Sequence, residues 1–106
     1  MKRRIYTVKE VQDLLRTLTL KQQQEIIFLR PLEDEHFIID IDSARFDKKE
    51  QAPIFKVYSV PKKVKSMTDI PAESLEDCME FVVDEIDGEL RLHENIDYIM
   101  LDDDLE

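Results

Sequence analysis

A single glycine, Gly88, serves a chain of 106 residues. Glycine enters left-handed backbone at no steric cost, so loops that cradle phosphates or turn sharply beside a ligand need several of them. One glycine cannot supply a G-x-x-x-x-G-K-[ST] phosphate loop, a G-x-G-x-x-G dinucleotide fingerprint or a G-x-S-x-G nucleophile elbow. Most turns must rest on other residues. Gly88 itself fits either of two places, the position just past a helix or the second residue of an Asp-Gly hairpin turn.

The apolar residues, 42% of the chain, suffice for one modest core. The expectation is a single α+β domain over residues 1–101 and an exposed acidic tail over 102–106. Cys78 is the only cysteine, which excludes an internal disulfide framework and a thiolate zinc site. No stretch approaches the roughly 20 apolar residues of a membrane span. No apolar signal core follows the charged start Met1–Arg4. A cytoplasmic protein is expected.

Thr7 and Glu10 form a T-x-x-E capping box, with Tyr6 and Val11 placed as a hydrophobic staple. Val8, Val11, Leu15 and Leu18 then follow helical spacing, opposite Lys9, Gln12, Asp13 and Arg16. A helix from about Val8 is the most secure element. Thr19 and Gln22 make a second capping box, which allows a short helix over "TLKQQQEIIFL". The continuous run Ile26–Leu29 before Pro31 favours a strand from about residue 25 instead.

Phe37, Ile39 and Ile41 alternate with mostly polar neighbours and predict a return strand, with Glu33, Asp34 and Glu35 as the connecting turn of a hairpin. "APIFKVYSV" predicts a third strand, apolar on both sides and therefore central. Phe28, Phe37, Phe46 and Phe55 recur every nine residues, a spacing that fits strand-and-turn geometry without an internal repeat. After a proline-flanked basic loop, Ser74 opens S-x-x-D before Leu75, Met79, Val82, Val83 and Ile86. Five apolar residues on one helical face favour a helix over 74–87, with Gly88 past its end. The rival is a hairpin of "MEFVVDEI" and "ELRLH" through Asp87-Gly88. "NIDYIML" would be a closing segment. The predicted architecture is an N-terminal helix packed on a curved antiparallel sheet of three to five strands, with a second helix late in the chain.

Groups for catalysis are few. His36 and His93 lack metal-site spacing, and Cys78 among apolar neighbours reads as a small buried hydrophobe. Asp40 with Asp42, and Asp102–Asp104, lack the patterned ligands of a calcium loop. No catalytic, cofactor-binding or metal-binding residues are expected, and the chain is expected not to be an enzyme.

Charge is distributed unevenly. Residues 1–30 carry seven basic against three acidic residues, a net of +4, whereas the remainder carries eight against 22, a net of −14. The basic patch Lys2, Arg3, Arg4 and Lys9 suits a nucleic acid or an acidic partner. "YTVKEVQDLL" resembles the opening helix of helix-turn-helix domains of the MerR and excisionase type over about ten residues, a resemblance that implies DNA contact. Gln12 stands where those domains usually have a small residue, and no glycine marks the following turn. Gln22, Gln23 and Gln24 are of a type that reads adenine edges. On the acidic side, Glu73, Glu76, Asp77, Glu80 and Asp84 would line one face of the late helix and suit a basic partner. The expected function is that of a small accessory or regulatory protein that binds another protein, with homodimerisation through the second sheet face as one form of it. The alternatives are a DNA-binding regulator using the basic N-terminus and an acidic inhibitor of the DNA-mimic type.

Overall fold

The computed structural model describes residues 7–76 and 78–95. The basic residues Lys2, Arg3 and Arg4, the acidic Asp77, the closing segment and the acidic tail lie outside the described residues.

Thr7 starts α1, Val8–Thr17, as its capping box predicts: its hydroxyl accepts the Glu10 N–H at 3.1 Å, and the Glu10 carboxylate accepts the Thr7 N–H at 3.1 Å. Two backbone donors that a helix start leaves unpaired are thereby satisfied. Val11 and Leu15, four apart, are fully buried. Thr19 and Gln22 repeat the box and start α2, Leu20–Ile26. At seven residues α2 is too short to stand alone in water. It is held by its glutamines, of which Gln23 donates to the Leu15 carbonyl at 3.1 Å.

The strand expected from residue 25 shrinks to β1, Ile27–Phe28, because α2 extends through Ile26. β1 does not form a hairpin with the next strand. It pairs in parallel with the last described strand, Ile27 opposite Leu92, and residues 29–34 cross the end of the sheet to its other edge. Then come β2, Glu35–Asp47; β3, Ala52–Pro61; β4, Cys78–Ile86; and β5, Glu89–Glu94. The order across the sheet is β1-β5-β4-β3-β2, antiparallel except at β1. β2 carries an irregularity between Asp40 and Arg45, where three extra residues are accommodated against β3.

The fold is α+β, with helix packed on sheet. The two α-helices of the described residues both precede the sheet, and the helix expected over 74–87 is replaced by a short 3₁₀ turn, Ala72–Glu76, followed by β4. β4 and β5 form the rival hairpin. Asp87 and Gly88 sit at φ +53° and +82°, the two left-handed positions of a two-residue turn whose twist matches that of the strands. β4 lies between β3 and β5, so its residues are apolar on both sides, and adjacent Val82 and Val83 face opposite layers.

One face of the sheet packs Phe37, Ile39, Phe55, Val57, Phe81, Val83 and Leu92 beneath Val11 and Leu15 of α1. Each fully buried side chain of this size contributes about 1.5–3 kcal/mol. On the second face, Ile38, Tyr58 and Val60 are covered by Val64 and Ile70 of the loop after β3. Ala52, Ile54 and Val82 form a smaller buried group there. Of the nine-residue phenylalanine series, Phe37 and Phe55 are core residues, whereas Phe28 and Phe46 are exposed.

Candidate functional site

The glutamines of α1 and α2 are occupied within the molecule. Gln12 donates to the Ile41 carbonyl at 3.0 Å. The Gln24 amide pairs with Phe37 on both backbone groups, accepting its N–H at 2.8 Å and donating to its carbonyl. Gln22 caps α2 and Gln23 ties it to α1. No glutamine of the run is left to read a base edge. Lys9 pairs with Asp13 at 3.1 Å on the same helix. Arg16 reaches Asp42 at 2.9 Å and Asp13 at 3.7 Å. The positive charge described on α1 therefore meets carboxylates of this chain.

The two histidines are far apart in role. The His36 Nε2–H donates to the Val64 carbonyl in a buried setting, which fastens the covering loop to β2. His93 lies edge-on to Phe28, with ring centroids 4.6 Å apart, while the Arg91 guanidinium stands 5.6 Å from the same ring and pairs with Glu89. No group of three metal-ligating side chains exists among the described residues.

The acidic set expected on one helix face is split by the strand. Glu80 lies on the second sheet face, 3.1 Å from Arg45, and Asp84 stands opposite Arg91 on that same face. Glu73 and Glu76 lie instead on the 3₁₀ turn. Glu76 lines a cleft of about 510 Å³ together with Leu32, Glu35, Ser59, Ser74, Cys78 and Met79. Glu35 and Ser59 belong to the paired ends of β2 and β3, Met79 and Cys78 to the start of β4, Leu32 to the crossing segment and Ser74 to the turn. The Ser59 hydroxyl donates to Glu35 Oε1 at 2.7 Å, which orients the carboxylate along one wall. Cys78 is exposed in the cleft, not buried among apolar neighbours as its sequence setting suggested. The hairpin turns its side chain away from the core that receives Met79.

The rim is apolar to an unusual degree. Leu32, in the lining, is 72% exposed and Leu75, between the lining residues Ser74 and Glu76, 45%; Phe28 and Leu29, at 48% and 38%, belong to the opposite edge of the sheet. Large apolar side chains scattered singly on a surface need no explanation, whereas two exposed leucines at one cleft mark a contact surface. Sequence reasoning missed this site because Leu32, alone after Pro31, belongs to no periodic pattern and Leu75 reads as a helical core position.

Comparison with protein-family models, with curated proteins and with solved structures gives no significant match. Among the described residues, no helix is long and apolar enough to cross a membrane.

Proposed function

We propose that this is a small non-enzymatic accessory or regulatory protein that binds another protein through the cleft between the crossing segment and the Ala72–Glu76 turn. The observation that carries the reading is Leu32: a leucine almost three-quarters exposed at a cleft contributes little to packing among the described residues. Exposed aliphatic anchors around a concavity with a few oriented polar groups are what protein docking sites use. The Ser59–Glu35 bond supplies such an oriented group. The setting fits a cytoplasmic protein, with the single thiol accessible and unpaired.

The test is capture of a partner from the source cell by the immobilised full chain, with wild type and Leu32→Asp in parallel. Loss of the captured protein with the variant, at unchanged circular dichroism, is expected. Equal capture by both removes the cleft as the docking site. Light scattering on the free chain reads the rival occupant, a second copy of itself.

A further inference from the structure

Two carboxylates, Glu35 and Glu76, belong to the lining of the cleft. Glu33 and Asp34 in the crossing segment, and Glu73 on the turn, are their neighbours in the chain, and none of these five forms an ion pair among the described residues. Glu35 on the cleft wall accepts one hydroxyl and keeps acceptor capacity on its carboxylate, which has about four lone-pair sites. Among the described residues, no cationic side chain lines the cleft. Arg30 stands two residues before Leu32 outside that lining, and Lys62, whose backbone N–H donates to the Asp34 carbonyl at 3.1 Å, is also outside it, with Lys63 and Lys65 further along the loop. Unpaired like charges held close together raise the local negative potential, and a cationic partner relieves it.

We infer that the occupant of this cleft is an extended segment of a partner protein that carries lysine or arginine beside an aliphatic anchor. The inference rests on the cleft being the docking site and adds the chemistry of what docks. The aliphatic side chain lies against Leu32 and Met79, and the cationic side chain reaches Glu35 and Glu76, with Glu33, Asp34 and Glu73 attracting it from the rim. An extended segment suits the place, because the cleft is bounded by the ends of β2, β3 and β4 and by a single turn.

The experiment uses the full chain and short fluorescein-labelled peptides in which two leucines are set among lysines and glycines, with versions that carry glutamine or glutamate for lysine. Anisotropy at low salt is expected to rank lysine above glutamine above glutamate, with affinity for the lysine peptide falling as salt rises. Glu35→Gln with Glu76→Gln is expected to weaken the lysine peptide about tenfold. Glu80→Gln on the opposite face is expected to leave it unchanged. Amide chemical shifts on binding should move at Leu32, Ser59, Ser74 and Met79. Absence of binding by the lysine peptide, equal affinity across the three peptides, indifference to the double variant, or shifts confined to other surfaces each overturns the inference. A partner that is still captured and lost on Leu32→Asp, while peptide charge has no effect, leaves the docking site standing and removes only its cationic occupant.

Discussion

Gln24 holds Phe37 by both of its backbone groups, accepting the N–H at 2.8 Å and donating to the carbonyl. β2 is an outer strand of thirteen residues, and a long unpaired edge invites pairing with another chain. A side-chain amide presents one donor and one acceptor in a plane, so Gln24 stands in for one residue of a missing neighbour strand. Gln12, four residues further along at Ile41, caps the same edge. Gln24→Ala is expected to cost about 1–3 kcal/mol, the range for leaving partly buried backbone groups unpaired. It is also expected to give concentration-dependent self-association. Urea unfolding reads the first effect and light scattering the second, and a variant as stable and as monodisperse as wild type contradicts the edge-guarding role.

Gly88 provides the second prediction. A Cβ added there meets no atom within 4 Å, so any penalty comes from backbone conformation and not from a clash. At φ +82°, Gly88→Ala is expected to destabilise by about 1 kcal/mol, while Asp87→Asn, at a position that already tolerates left-handed backbone, is expected to be neutral. Thermal melts of the two variants separate these outcomes.

Phe81 is fully buried and its ring centroid lies 6.1 Å from that of Phe37. Phe81→Ala is expected to cost about 3–5 kcal/mol, which for a domain of this size is a large part of total stability. A midpoint close to wild type in urea would place Phe81 outside the core.

Tyr58 predicts an alkaline limb. Burial, and then the proximity of Cys78 and Asp40, pushes its phenol above the usual value of 10. The folded state thus holds the phenolic proton more tightly than the unfolded chain. Its contribution is fully present below pH about 10 and is lost as pH rises beyond that value, where the unfolded tyrosine ionises first. Tyr58→Phe should flatten the fall in stability above pH about 10, measured as urea midpoints across that range, and an unchanged slope would assign the fall to other groups.

Leu32 and Leu75 provide the converse. Both are exposed, so Leu32→Asp and Leu75→Ser should leave stability within about 0.5 kcal/mol of wild type. A larger loss in calorimetry would make them packing residues and weaken the docking reading.

Local chemistry made part of this fold legible in the sequence. Thr7 with Glu10 and Thr19 with Gln22 announce two helix starts, because a capping box is a short-range hydrogen-bond pattern that needs no distant partner. Phe37, Ile39 and Ile41 announce a strand by period, and Ile54–Val60 announces a central one by apolarity on both sides. The same two-sided apolarity misled at β4. Met79, Val82 and Val83 match a helical face, and only the pairing of Val82 with Ile54 on one layer and the burial of Val83 in the other show a strand with two interiors. The parallel pairing of Ile27 with Leu92 leaves no local trace at all. The cleft was the least legible part, because Glu35, Ser59, Glu76 and Met79 come together only through the pairing of β2 with β3 and of β3 with β4.

The parallel pairing of β1 with β5 also orders events during synthesis. Ile27 waits for Leu92, which follows it by 65 positions, and both belong to the same core as Val11 and Leu15. A ribosome releasing this chain exposes α1, α2 and β1 before β5, so the core that Val11, Leu15 and Ile27 share with Leu92 is completed only when β5 has emerged. Contacts so distant in sequence close slowly, and until they close these apolar side chains stand free to any passing hydrophobic surface. The first elements of the domain therefore depend on its last described strand for part of their burial.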